Sequence, residues 1–99
     1  GMDTIARTVG PKLGERLGQP VVVENRPGAS GNIGAEQVAK APADGHTVLV
    51  TGNTMLIAAQ LYKSVPYDPM TDFAPVSLAA WGTLLLCANP KSGIESVQD

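Results

Sequence analysis

Apolar residues first recur at Ile5, Val9, Leu13 and Leu17, a four-residue spacing that forms one stripe along a helix. Arg7, Lys12, Glu15 and Arg16 fall mostly outside that stripe. The pattern predicts a helix over 3–17. Asp3 suits its start, where free N–H groups and the dipole favour an acid, and Gly18 is a natural stop. Gly10-Pro11 interrupts the pattern, because Pro11 lacks a donor and clashes with the Arg7 carbonyl, so a kink is expected there.

The run Pro20-Val-Val-Val-Glu24 has no alternation and three β-branched residues, the mark of a strand buried on both faces. A loop dense in turn residues follows, Asn25-Arg-Pro-Gly-Ala-Ser-Gly-Asn32. A short helix is then expected over 33–41, with Val38 inward and Pro42 as its stop. Asp44-Gly45 makes a turn into a second strand over 46–51, and a third helical stretch is predicted over 55–61. The prolines of Val65-Pro-Tyr-Asp-Pro69 exclude regular structure there. Strands are expected again over 75–80 and 83–88. Ser92-x-x-Glu95 fits a capping box, with Ser96 as a rival cap, for a helix that has only Val97 and two further residues to run. A helix begun and abandoned reads as truncation. Strands alternating with helices indicate an α/β fold with a mainly parallel sheet.

Composition narrows the function classes. The chain has 99 residues and a mass of 10.2 kDa, which sets one compact domain as the ceiling. Surface scaling gives about 5,300 Å² folded against about 14,800 Å² unfolded, so a small core with little margin is expected. Apolar residues are 43% and charged residues 16%, which rules out a disordered chain. Net charge is −2 with scattered basic residues, so neither a nucleic-acid surface nor a polybasic membrane patch is indicated. One Cys and one His leave no disulfide and no zinc set. No cofactor is implied. No apolar run spans a bilayer and no signal peptide is read, Gly1 before Met2 resembling the remnant of a cleaved tag.

Two loops could carry binding chemistry. The first is Gly28-Ala-Ser-Gly31-Asn-Ile-Gly34, whose spacing matches neither the dinucleotide fingerprint nor a P-loop. A glycine-rich turn opening a helix presents N–H groups to an anion, and equally makes an ordinary turn with Ser30 or Asn32 as cap. The second is Gly52-Asn53-Thr54, which ends the strand 48–50 and starts a helix. Ligands of open α/β sheets lie outside the carboxyl ends of strands, so these residues are binding candidates, with N-capping by Asn53 or Thr54 as the competing role. Catalysis has no support. His46 lacks an implied partner, Ser30 lacks the G-x-S-x-G elbow, Cys87 reads as core, and Asp68 and Asp72 read as turn formers. Trp81, Tyr62, Tyr67 and Phe73 are too dispersed for base stacking and read as packing residues.

Three stretches together point to a family: Gln19-Pro-Val-Val-Val-Glu-Asn-Arg-Pro-Gly-Ala-Ser-Gly-Asn-Ile-Gly-Ala35, Ala41-Pro-Ala-Asp-Gly-His-Thr47 and Pro66-Tyr-Asp-Pro-Met-Thr-Asp-Phe-Ala-Pro-Val-Ser77. In order and spacing the chain resembles the Bug family of extracytoplasmic solute receptors, the binding components of tripartite tricarboxylate transporters. The resemblance implies a partial type II periplasmic-binding-protein fold. It also implies a small carboxylate ligand, held without metal or catalysis by loop amides and polar side chains and passed to membrane permease subunits in the periplasm. It gives Asp3 a place as well, because residues 1–7 match the end of the family's Pro-Gly-Gly-x-x-Asp-x-x-Ala-Arg pattern.

The ligand residues expected on this reading are Asp3, Ser30, Gly52, Asn53 and Thr54. Residues 1–99 are expected to be an incomplete first lobe, with its first strand and the second lobe missing and ligand affinity weak or absent. The missing strand would leave adhesive edges, so strand pairing or exchange with a second copy is expected. The alternative is a stand-alone oligomeric module or degenerate gene product without ligand binding.

Overall fold

The computed structural model describes residues 1–99. Three α-helices follow in order: α1 (Met2–Leu17), α2 (Asn32–Lys40) and α3 (Thr54–Leu61). Two 3₁₀ turns, Ala29–Gly31 and Pro90–Ser92, complete the regular structure. Each helix starts within a residue or so of its expected position.

α1 runs without a break through Pro11. It stops at Gly18, whose φ of 68° and ψ of 20° are the left-handed conformation that only glycine adopts at little cost. The amides of Gly18 and Gln19 both donate to the Gly14 carbonyl, and the chain reverses.

The face that α1 packs is not its apolar stripe. Val9, Leu13 and Leu17 are exposed, while Gly10 is the one buried residue of the helix. A Cβ on Gly10 would lie 3.4 Å from Val21 Cγ1, and a Cβ on Gly14 would lie 2.9 Å from the Gln19 carbonyl oxygen. Gly10 and Gly14, one turn apart, therefore form the seam on which the returning segment 19–23 lies. A seam without side chains is invisible to a hydrophobicity pattern.

α2 and α3 pack through small residues, and Ala35 and Ala58 are almost fully buried. The block after α3 joins this nucleus through Tyr67, whose ring stands edge-on to Phe73 at a centroid distance of 5.7 Å and an interplanar angle of 83°. Glu36 and Lys40 form an ion pair along α2. Near the end of the chain, the expected capping box is replaced. Asn89 Oδ1 accepts from the Lys91 amide at 2.8 Å, and the Ser92 hydroxyl donates to the Asn89 carbonyl at 2.7 Å. Asn89 thus caps a single 3₁₀ turn, and Gly93 ends it in the left-handed region.

The segments 20–27, 42–51 and 73–88 make no backbone–backbone hydrogen bond, so this structure contains no strand pairing with which to compare the expected parallel sheet. Its dimensions reflect that. The radius of gyration is 17.2 Å, against about 13 Å for a compact chain of this length. The surface is 8536 Å², and 5 of 99 residues are buried. Cys87, expected in a core, is exposed because the segment carrying it has nothing packed over it. Trp81 is 90% exposed for the same reason.

Candidate functional site

The start of α3 is built from Gly52, Asn53 and Thr54. The Gly52 carbonyl accepts from Met55 N, and the Asn53 carbonyl accepts from Leu56 N and Ile57 N at 3.0 and 3.1 Å. The helix is thus begun by main-chain bonds. No side chain caps it, and neither Asn53 nor Thr54 makes a side-chain hydrogen bond within the chain. Both are exposed, so an amide and a hydroxyl stand free beside the N–H groups of Asn53 and Thr54, which donate to no carbonyl, while those of Met55, Leu56 and Ile57 are engaged. The capping role that competed for these residues is not the one they play here.

α1 meets this point from the side. A Cβ on Gly52 would lie 2.6 Å from Met2 Cε, so the first turn of α1 abuts Gly52. Asp3, the next residue, is engaged elsewhere. Its carboxylate accepts from Arg7 Nε at 2.8 Å, and Arg7 Nη2 donates to Asn25 Oδ1 at 3.1 Å. The negative charge of Asp3 is thereby balanced locally, and α1 is tied to the loop that follows Glu24.

Ser30 is placed differently. Its hydroxyl shares a hydrogen bond of 3.1 Å with the hydroxyl of Tyr62, the residue that closes α3 at its C-terminal end. The turn holding Ser30 is strained, with φ of 46° at Ala29 and 58° at Ser30, both in the left-handed region. Such a conformation costs of order 1–2 kcal/mol per residue and persists only where neighbours enforce it. Here Tyr62 holds one side. On the other, the Tyr67 hydroxyl donates to Asn32 Oδ1 at 2.7 Å in a buried contact. Ser30 does not cap α2, which has no side-chain cap.

Of the five residues expected to bind ligand, Gly52, Asn53 and Thr54 are consecutive at the start of α3, Asp3 is engaged with Arg7 at the start of α1, and Ser30 belongs to a further group with Tyr62, Asn32 and Tyr67. Sequence reasoning treated both tyrosines as packing groups and missed their hydroxyls. The available signal was Asn32, a polar residue directly after the glycine turn and directly before an apolar one.

The remaining candidates are quiet. The amide of His46 donates to Asp44 Oδ1 at 3.0 Å, and that bond holds the Asp44 carboxyl below the usual carboxylate range. No group of three His, Cys, Asp or Glu side chains is arranged to hold a metal ion. No helix is long and apolar enough to cross a membrane. A shallow hollow of about 450 Å³ lies at the end of α1, lined by Pro11, Gly14, Glu15, Gly18, Gln19 and Val21 among others. It follows the glycine seam and is distant in sequence from both polar groups.

Residues 5–99 match the family described as the tripartite tricarboxylate transporter family receptor. The chain belongs to that family. A UPF0065 protein of Bordetella bronchiseptica is 41% identical over 99 residues, which cover 99% of this chain and 30% of the relative. Protein BugT of Bordetella pertussis is 40% identical over 97 residues, 96% of this chain and 30% of the relative. A UPF0065 protein in the tcbD-tcbE intergenic region of a Pseudomonas species is 48% identical over 79 residues, 80% of this chain and 24% of the relative. The chain thus spans under a third of the length of these receptor-family relatives. No solved structure matches it. The family resemblance read from residues 19–35, 41–47 and 66–77 is shown by these matches.

Proposed function

We propose that this chain serves in a periplasmic solute receptor, contributing one wall of a site for a small carboxylate and no catalysis. The observation that carries the reading is the start of α3. Gly52, Asn53 and Thr54 combine free main-chain donors with two polar side chains that nothing in the chain engages. A carboxylate can be held there by N–H and O–H groups without a paired arginine. Asp3, in the first turn of α1, has its charge taken up by Arg7. Ser30 supplies a hydroxyl from the neighbouring turn. On this reading the chain is part of a first α/β lobe of the type II periplasmic-binding-protein class. A second lobe supplies the opposite wall, and membrane permease subunits receive the solute.

One wall gives few contacts. Binding of citrate, glutamate or benzoate by these 99 residues is expected to be no tighter than about 1 mM, or −4.1 kcal/mol. Amide shifts followed during a citrate titration should move at 52–54. Absence of any movement at saturating citrate overturns the carboxylate reading, and a micromolar calorimetric titration overturns the one-wall reading.

A second reading rests on the segment 73–88, which is unpaired and apolar. It is a self-associating module in which strands of two copies pair. Light scattering across a dilution series separates the two, because strand pairing requires a mass that rises with concentration.

A further inference from the structure

Asn32 differs from every other polar residue of the chain. It is 7% exposed, and no other polar side chain is buried to that degree. Its carboxamide has an acceptor end and a donor end, and the structure uses only one of them. Oδ1 accepts from the Tyr67 hydroxyl at 2.7 Å, while Nδ2 has no partner in the chain. A buried amide nitrogen left without a partner costs about 1–3 kcal/mol, so such donors are almost always engaged. Nδ2 is nevertheless not sealed in, because no buried side-chain nitrogen or oxygen lacks a partner. The amide therefore lies in the interior with its nitrogen at an opening.

The Tyr67 bond fixes which end is free. A carboxamide is planar, with its oxygen and nitrogen on two diverging bonds of one carbon. Once Tyr67 holds Oδ1, Nδ2 is the end left at the opening. Tyr67 is itself rigid, being 6% exposed and packed edge-on against Phe73. The donor that it aims belongs to the first residue of α2, a nine-residue helix with no side-chain cap. Two residues upstream stands the Ser30 hydroxyl, in a turn whose backbone is strained.

We infer that the Asn32 side-chain amide is a ligand-facing donor for the carboxylate and that Tyr67 is the positioning residue that turns it outward. The inference rests on the carboxylate reading above and adds a residue to it. It also gives the Pro66–Ser77 block a role at the site. Through Tyr67, that block sets the orientation of an amide 35 residues earlier in the chain.

The test uses the ¹⁵N-labelled 99-residue chain with citrate as the probe. In the wild type, the Asn32 side-chain NH₂ signals should shift on titration and saturate together with the signals of 52–54. Asn32→Asp separates binding from structure. It keeps the acceptor that Tyr67 needs and removes the donor, while the desolvation of a buried carboxylate, partly offset by its place in the first turn of a helix, lowers stability to an extent that urea denaturation measures separately. As a donor it fails, and citrate affinity should fall by at least about tenfold even at about 1 M salt, where repulsion by the added charge is screened. Tyr67→Phe should release the amide, so its NH₂ signals move toward those of a free carboxamide and affinity falls several-fold.

If the signals of 52–54 move while the Asn32 NH₂ signals do not, the inference is overturned and the carboxylate reading survives. Unchanged citrate affinity in Asn32→Asp has the same meaning. If no signal in the wild type moves with citrate, both are overturned. The wild-type NH₂ measurement decides the matter even where a variant does not fold.

Discussion

Replacing Gly14 by Ala sets two opposing effects against each other on the seam of α1. Alanine is the better helix former by about 1 kcal/mol, so an exposed Gly14 would make the substitution stabilising. The seam predicts the opposite. The new Cβ would lie 2.9 Å from the Gln19 carbonyl oxygen and 3.5 Å from Val21 N, both main-chain atoms that cannot swing aside. Relief requires the reversal at Gly18–Gln19 to shift, which stretches the 3.2 Å bond from Gln19 N to the Gly14 carbonyl. Losing that bond costs about 1 kcal/mol and the overpacking about 1–3 kcal/mol. Against the propensity gain, a net loss of about 1–3 kcal/mol is expected. Urea denaturation followed by circular dichroism measures it directly. An increase in stability close to the propensity gain refutes the close approach of segment 19–23 to α1.

Asn53→Ala and Thr54→Ala should leave α3 helicity unchanged, because neither side chain caps it, whereas losing a true cap costs about 1 kcal/mol. Both should still weaken citrate binding in the titration. Burial raises the Tyr67 hydroxyl above its ordinary pKa of 10.0. The unfolded chain then loses that proton first, so the stability linked to Tyr67 is present below pH 10 and lost as pH rises through the raised value. Alkaline denaturation that is the same in wild type and Tyr67→Phe contradicts this. The Asp44 carboxyl is held low by the His46 amide, so its contribution is present above the ordinary carboxylate pKa of 3.8 and lost as pH falls through the lowered value. Asp44 signals followed by NMR in acid should titrate below that value. Trp81, the single tryptophan, should shift its fluorescence to the blue as concentration rises if segment 73–88 pairs with a second copy.

The helices were legible because their signals are local. Gly18 stops α1, Pro42 follows α2, and Gly52-Asn53-Thr54 opens α3, each through chemistry confined to a few residues. The packing was not legible. Gly10 and Gly14 are chosen by a segment that returns five to thirteen positions later, and no periodicity of apolar side chains marks such a seam. The polar group at α2 was half legible. The glycine turn at 28–31 announced itself, but its two supports, Tyr62 and Tyr67, reach it across 32 and 35 residues. Such pairings are fixed by tertiary structure. The capping box at Ser92 was a local signal that lost to a stronger local one, Asn89 preceding Pro90.

The segment from Ala74 to Pro90 carries no charge, and Val76, Leu78, Trp81, Leu84, Leu85 and Leu86 are each at least 65% exposed. Full burial of one such side chain contributes about 1.5–3 kcal/mol. Successive side chains of a strand point to opposite faces, so a one-faced contact between two copies covers about half of the six on each and yields roughly 9–18 kcal/mol. Association itself costs an estimated 4–15 kcal/mol. One covered face therefore offsets most of that cost and leaves the other face of each copy open. Covering both faces doubles the gain and exceeds that cost. A strand sandwiched within a sheet and flanked by helices achieves this, as the expected α/β lobe would, and the absence of charge on either face of 74–90 fits that arrangement better than a one-sided dimer contact.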